Sequence, residues 1–182
     1  MKTTGIIIAG GKSSRIGTDK AFISYNNKML IEYAISVIKP IADTIIISSN
    51  TPEKIKKFKV ITDIYKNIGP VAGLYSCLKA SQTDVNIVIP CDTPQLTTAL
   101  YKQMLSEFQK YKNLDAVVPR LPDGKVEPLI AVYSKKILPE IEKSIAVDDY
   151  KLVNLLSKIN TKYVDITDIE QFKNINTPAD LL

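Results

Sequence analysis

The sequence of 182 residues is 45% apolar and 24% charged, and its formal net charge is +5. These proportions exclude a disordered or fibrous chain and are typical of a globular protein. No apolar run approaches the roughly 20 residues that a membrane helix needs, and the run at residues 6–9 is too short for the core of a signal peptide. We therefore expect one cytoplasmic domain over residues 1–182, with no membrane partner.

The chain contains no histidine, which removes several catalytic classes. A Ser-His-Asp triad, a Cys-His pair and a histidine-based zinc site are all excluded. Cys77 and Cys91 are too few for a disulfide framework, and we expect both to be reduced. Any chemistry therefore has to use carboxylates, lysines, hydroxyls, backbone amides or a hard metal ion.

The positive charge comes almost entirely from lysine, since Arg15 and Arg120 are the only arginines. A modest lysine cluster at residues 54–59 is interpreted as a solvated surface. Nucleic-acid-binding proteins usually concentrate arginine and aromatic residues, so we expect no nucleic acid as a partner. A small anionic ligand fits the charge.

Short β-branched runs alternate with helical patterns through the first half of the chain. Pro40 ends the first helical pattern, and Gly69-Pro70 forms a turn. In chain order, we predict a strand at 4–9, a loop at 10–20, a helix at 29–38, a strand at 44–48, a short helix from Thr51, a strand at 60–62 and a helix at 71–80.

The second half of the chain continues the alternation. Asp123-Gly124 is a turn signal between two apolar runs. In chain order, we predict a strand at 85–89, a helix at 97–111, strands at 115–119 and 126–133, helices at about 135–144 and 149–158, a strand at 163–166 and a terminal helix from Thr177. This order predicts an α/β three-layer sandwich with a mainly parallel, mixed, Rossmann-like sheet.

Polar residues follow several of the predicted strands. Asn50, Asp63 and Asp92 come just after the second, third and fourth strands, and a glycine loop follows the first. Ligands bind beyond the carboxyl ends of parallel strands, so we expect these segments to meet at one edge. Taken alone, Asn50 and Asp63 are ordinary loop residues, and Asp92 is either a turn residue or a ligand for a hard cation.

The loop after the first strand contains Gly10, Gly11, Arg15 and Lys20. Glycines let backbone amides approach a phosphate, and the two cations offset its charge. The spacing matches neither a P-loop nor a dinucleotide-binding fingerprint. A polar strand-to-helix loop is the alternative interpretation, although one of the two arginines lies inside it.

The segment Ala9-Gly10-Gly11-x-Ser13-x-Arg15-Ile16-Gly17-x-Asp19-Lys20 resembles the signature of nucleotidyltransferases with the nucleotide-diphospho-sugar transferase fold. Among them, it is most similar to the molybdenum cofactor guanylyltransferases (MobA), with Ile8 and Ile16 in place of Leu and Met. Three further segments agree in the same order: residues 69–73, 90–94 and 174–180. The resemblance runs from residue 5 to the C-terminus.

This resemblance implies transfer of GMP from Mg·GTP to molybdopterin, with release of pyrophosphate. It implies Arg15, Lys20 and Asp92 as catalytic residues, and Asp92 as the ligand of Mg²⁺. The implied nucleotide site consists of Ile8, Ala9, Gly10, Gly11, Lys20, Asn50, Asp63 and Asp92. Transient contacts with molybdoenzyme apoproteins or their chaperones are a further implication.

The same resemblance places the segment around Asn174 and Asn176 beside the pterin, whose edge can pair with amide side chains. A looser match to the family implies that Lys151 contacts the phosphate of the pterin. Without the resemblance, the two asparagines belong to a helix-entry turn that Thr177 caps. Glu127-Pro128 departs from family members that carry His-Pro, and Glu127 receives no role.

Two other functions stay open. A cytidylyltransferase for the same cofactor, or a sugar- or alditol-phosphate nucleotidyltransferase, more often has Ala-Ala-Gly where this chain has Ala9-Gly10-Gly11. The second glycine leaves room for a larger base, which favours guanine. A non-catalytic nucleotide sensor or cofactor carrier is the other alternative, and binding of GTP without pyrophosphate release would identify it.

Overall fold

The computed structural model describes residues 1–9, 20–175 and 180. In these residues, seven strands form one sheet in the order β5-β4-β1-β6-β8-β7-β9, and β2 and β3 form a separate hairpin. The strands are β1 Thr3–Ile8, β2 Ser24–Tyr25, β3 Lys28–Met29, β4 Thr44–Ser48, β5 Lys59–Ile61, β6 Val85–Pro90, β7 Ala116–Arg120, β8 Ala131–Ser134 and β9 Thr161–Asp165. The α-helices are α1 Leu30–Ile38, α2 Pro70–Ala80, α3 Thr98–Lys110, α4 Leu138–Ala146 and α5 Leu152–Lys158.

The sheet is mixed, as predicted. Strands β5, β4, β1 and β6 are parallel neighbours, whereas β8 runs antiparallel to both β6 and β7. Successive residues of β1 face opposite layers, because Ile7 packs with α1 and α3 while Ile6 and Ile8 pack with α2. Helices α4 and α5 share the layer of α2, so the predicted three-layer sandwich is confirmed.

No helix within the part of the chain that the structure describes is both long and apolar enough to cross a bilayer.

The strand predicted at 126–133 is wrong over its first half. Regular pairing begins at Ala131, and Val126 makes only an isolated bridge to Arg120. Residues 127–130 form a turn in which the Ile130 amide donates to the Glu127 carbonyl at 2.9 Å. Pro128 lies inside this turn, where its missing N–H and fixed φ oppose a regular strand.

The helix predicted at 149–158 is shorter than expected, since α5 begins at Leu152. The β2–β3 hairpin was not predicted; it turns through Asn26 and Asn27, which both have positive φ. Asparagine tolerates this backbone conformation better than most residues. Most of the predicted loop at 10–20 and the predicted helix from Thr177 lie outside the described residues, apart from the ends at Lys20 and Asp180.

Gly5 allows α1 to pack closely on the central strand. A Cβ atom at this position would lie 2.6 Å from Cδ1 of Ile38 and 3.2 Å from Cβ of Ala42. We expect Gly5→Ala to lower the free energy of unfolding by about 1–3 kcal/mol, because Ile38 is fully buried and has no space to move. Urea denaturation measures the loss. In Gly5→Ala/Ile38→Val, which removes the clashing methyl group, part of the loss should be recovered; no recovery would contradict this explanation.

Candidate active site

The predicted convergence of strand ends is present at the carboxyl edge of β5, β4, β1 and β6. Backbone hydrogen bonds continue past the strands there: the Ala9 amide donates to Ser48 at 2.9 Å, and the Cys91 amide donates to Ile8 at 3.2 Å. The segments that carry Asn50, Asp63 and Asp92 therefore leave the sheet side by side. The edge forms the floor of a site whose polar groups come from several loops.

Lys20 and Asp92 form an ion pair at this edge. The Lys20 Nζ atom lies 2.8 Å from Oδ2 of Asp92, and the two side chains are 18% and 24% exposed. The carbonyl of Asp92 accepts a hydrogen bond of 2.7 Å from the Ile175 amide. This pair joins the end of the glycine-containing loop, the end of β6 and the segment near the C-terminus.

The carboxylate of Asp63 accepts hydrogen bonds from two neutral side chains, one at the end of β4 and one two residues beyond it. Ser48 donates through Oγ to Oδ1 at 3.2 Å, and Asn50 donates through Nδ2 to Oδ2 at 3.1 Å. Both carboxylate oxygens of Asp63 thus have a hydrogen-bond donor, and one of the donors is the exposed amide of Asn50. Ser48 was not singled out from the sequence; the available signal was a polar residue at the end of an otherwise apolar strand.

Gly73 in α2 makes this arrangement possible. A Cβ atom there would lie 2.5 Å from Oγ of Ser48 and 3.5 Å from Oδ1 of Asp63. Gly73 was not predicted from the sequence to belong to the site. The structure shows that its missing side chain leaves space for the hydroxyl that binds Asp63.

A cleft of about 420 Å³ opens beside Asp92. Its charged and amide-bearing lining residues come from four separate segments, and the other described lining residues are all proline, aliphatic or aromatic. The lining residues are Pro70, Pro90, Asp92, Glu127, Pro128, Leu129, Ile130, Tyr150, Lys151, Leu152, Val153 and Asn174. Lys151 and Asn174, which the resemblance assigns to the pterin, therefore lie in the same cleft as Asp92. Glu127 and Tyr150 were not assigned to it from sequence.

The other predicted site residues divide into two groups. The side chains of Ile8 and Ala9 are buried, with 5% and 2% exposed, so any contact they make with a ligand goes through the backbone. Gly10, Gly11, Arg15 and Asn176 lie outside the described residues.

The residues around Asp92 are compatible with a hard cation. Over residues 1–9, 20–175 and 180, no group of three or more acidic or cysteine side chains could hold a metal ion by itself. The neighbouring hydroxyl of Thr93, which is 4% exposed, has no hydrogen-bond partner in the described structure. A single carboxylate suits a cation that keeps waters and takes its other ligands from substrate phosphates.

The two cysteines are both buried thiols. Burial raises the pKa of Cys77 to about 12, with a smaller contribution from the charge of Asp63. Cys77 is therefore not ionised near neutral pH and does not act as a nucleophile. Cys91 is 6% exposed and packs in the apolar core as a small buried residue.

The chain is similar to known proteins of one family. Residues 5–162 match the family model described as a MobA-like NTP transferase domain. A "Molybdenum cofactor guanylyltransferase" from Vibrio parahaemolyticus is 34% identical over 185 residues, which is 99% of this chain and 93% of the relative. A "Probable molybdenum cofactor guanylyltransferase" from Flavobacterium johnsoniae is 33% identical over 181 residues, which is 98% of this chain and 94% of the relative.

Among solved structures, the chain is similar to molybdopterin-guanine dinucleotide biosynthesis protein A from Archaeoglobus fulgidus. The TM-score is 0.83 at 25% identity, and the match covers 98% of this chain and 94% of the other. The similarity therefore extends over the sheet, both helical layers and the edge that carries Asp92.

Proposed function

The chain belongs to the MobA-like NTP transferase family, and from this membership we propose that it transfers GMP from GTP to the terminal phosphate of molybdopterin. The observation that carries the proposal is the Lys20–Asp92 pair. Lys20 follows the loop after β1 in the sequence and Asp92 lines the cleft, so a nucleotide beside Lys20 and an acceptor in the cleft would both reach Asp92.

The nucleotide would occupy the edge formed by β4, β1 and β6. Gly10 and Gly11 would bring backbone amides to the phosphates, and Arg15 and Lys20 would offset their charge. Asp63 and Asn50 would bind the nucleoside part, since the carboxylate is held at the end of β5 by Ser48 and Asn50. Ile8 and Ala9 would contribute backbone groups.

The reaction is an in-line displacement at the α-phosphorus. A phosphate oxygen of the acceptor forms a new bond to this phosphorus, the bond to the β-phosphate oxygen breaks, and pyrophosphate leaves with the bonding electron pair. The attacking oxygen is already ionised at neutral pH, so no general base is needed, which agrees with the absence of histidine. The residues of the chain contribute by positioning the reactants and by stabilising charge on the phosphates.

Asp92 would hold the divalent cation, which we propose to be Mg²⁺. When bound, such a cation would neutralise negative charge on the substrate phosphates. Lys20 would then bind phosphate oxygens in place of the Asp92 carboxylate, and its positive charge would stabilise the leaving pyrophosphate.

On the acceptor side, we propose that Lys151, Asn174 and Asn176 bind molybdopterin. Lys151 and Asn174 are exposed residues of the cleft lining, so their side chains are accessible to a ligand. After transfer, the guanine dinucleotide product would pass to molybdoenzyme apoproteins or their chaperones through transient contacts.

The proposal is tested by incubating the protein with Mg²⁺, GTP and molybdopterin and measuring the guanine dinucleotide by mass spectrometry and pyrophosphate by a coupled assay. Both products are expected with GTP, and much less product with CTP or ATP. Preference for CTP would contradict the guanine assignment. Binding of GTP without pyrophosphate release would indicate that the protein is a carrier or sensor and not an enzyme.

Gly73→Ala is expected to weaken GTP binding by displacing the Ser48 hydroxyl from Asp63. Loss of this hydrogen bond to a charged group predicts an increase in KM for GTP of about tenfold, with a smaller change in kcat. Initial rates at varied GTP measure it. Ser48→Ala serves as the control, because it removes the same hydrogen bond without the clash and should raise KM similarly. An unchanged KM in both variants would contradict the role of Asp63.

A further inference from the structure

Glu127 brings a second carboxylate to the cleft that contains Asp92. Its side chain is 21% exposed, and Oε1 lies 2.5 Å from Nζ of Lys125, whose own side chain is 62% exposed. In the residues that the structure describes, the other oxygen, Oε2, has no hydrogen-bond or ion-pair partner. The ion pair with Lys125 therefore leaves half of the carboxylate available to a ligand.

The backbone that carries Glu127 is fixed before any ligand arrives. The Ile130 amide donates to the Glu127 carbonyl at 2.9 Å and closes the turn. The hydroxyl of Tyr133, which is fully buried, donates to the Pro128 carbonyl at 2.8 Å. Glu127 thus precedes a proline in a turn that is attached to the core, which reduces the entropy that it would lose on binding.

A segment between α4 and α5 adds further lining to the cleft and is also anchored. Lys158 donates to Oδ2 of Asp149 at 2.8 Å and lowers the pKa of that carboxyl. The hydroxyl of Tyr150 donates to the carboxylate of Asp148. Tyr150 is half-buried, and it lines the cleft together with Leu152. Aromatic, aliphatic and proline surfaces of this kind suit a flat ring system.

We propose that Glu127 recognises the acceptor by accepting hydrogen bonds from the 2-amino-4-oxo edge of its pterin ring; this inference rests on the proposed function. That edge carries a ring N–H next to an amino group: Oε2 can accept from one of them, and Oε1 has a second lone pair for the other besides the one that Lys125 occupies. With the ring edge at Glu127, the phosphate end of the acceptor would extend towards Lys151 and Asp92, where the reaction takes place.

Guanine carries the same edge, so a carboxylate in this cleft could read either substrate of the transfer. The position of Glu127 favours the acceptor. It lies on the turn that leads into β8, whereas the proposed nucleotide residues Asn50 and Asp63 follow β4 and β5, on the other side of β1 and β6 in the sheet order. The test therefore measures the two substrates separately.

Glu127→Gln keeps the size of the side chain and removes its charge. We expect it to raise KM for molybdopterin about tenfold and to leave KM for GTP unchanged, because a hydrogen bond to a charged acceptor is lost at one substrate only. Glu140→Gln is the matched control: Glu140 is 26% exposed, is paired with Lys143 at 3.0 Å and does not line the cleft. A rise in KM for GTP instead, or no rise for either substrate, would overturn the proposal.

A binding experiment separates this inference from the proposed function. Titration with pterin and with lumazine, which has an oxygen in place of the 2-amino group, is followed by ligand fluorescence and needs no turnover. The unchanged protein should bind pterin more tightly than lumazine, and Glu127→Gln should lose the preference. Lys125→Met should retain it, because the carboxylate is still present. A preference that survives in Glu127→Gln, or its absence from the unchanged protein, would overturn the role of Glu127 even where guanylyl transfer is observed.

Discussion

Asp92→Asn is expected to reduce kcat/KM for guanylyl transfer by at least about 10²-fold, because it removes the carboxylate charge that we propose holds the cation between the two substrates. Asparagine has nearly the same size as aspartate, and the backbone carbonyl that accepts from the Ile175 amide remains. The free energy of unfolding should therefore change little. The loss of activity would then report on charge and not on folding.

Initial rates of pyrophosphate release, measured over a range of Mg²⁺ concentrations, test this prediction. High Mg²⁺ should recover part of the activity if the weakened step is binding of the cation. Asp165→Asn is the control, since Asp165 pairs with Arg120 at the same distance of 2.8 Å but lies at the exposed end of β9. Activity of Asp92→Asn close to that of the control would show that Asp92 is not the metal ligand.

Lys20→Met is expected to lower kcat by about 10²- to 10³-fold, the size of effect found when one group that stabilises a transition-state charge is removed. Methionine keeps the length of the apolar stem and removes the ammonium group that lies 2.8 Å from Asp92. KM for GTP should rise less than kcat falls, because the negative charge on the pyrophosphate grows as the bond to the α-phosphate breaks.

Single-turnover rates with saturating GTP measure the chemical step of Lys20→Met directly. Lys143→Met, which removes an exposed lysine paired with Glu140, should behave like the unchanged protein. In Lys20→Met/Asp92→Asn, the two effects should be far from additive, since each residue binds the other and both act on the same phosphates. A chemical step of normal rate in Lys20→Met would exclude this lysine from charge stabilisation.

The sequence predicts those parts of the fold in which the local order of apolar and polar residues itself determines the element. Strand β4 has the predicted bounds because a β-branched run lies between polar residues. The convergence of Asn50, Asp63 and Asp92 could be predicted because the carboxyl ends of neighbouring parallel strands always lie at the same edge of a sheet. The pattern at residues 126–133 led to a strand prediction that is partly wrong, because Pro128 interrupts the pairing. The residue at which regular pairing resumes depends on the neighbouring strand, which the local sequence does not show.

The missed site residues depend on contacts between segments that are distant in the chain. Ser48 matters because Gly73, 25 positions later, leaves space for its hydroxyl beside Asp63. Tyr150 matters because the α4–α5 connection lies at the same cleft as Glu127. Neither residue belongs to a motif, so periodicity and spacing cannot identify them.

The reversed direction of β8 puts the two proposed substrate sites on separate stretches of the chain. Because β8 is antiparallel to β6, the turn that enters it, and not the one that leaves it, lies beside Asp92. The parallel strands and their following loops can therefore keep one nucleotide chemistry while the entering turn and the α4–α5 connection diverge. Acceptor specificity can thus evolve in these segments without rebuilding the half of the molecule that we propose binds the nucleotide, which is a modular division of the molecule.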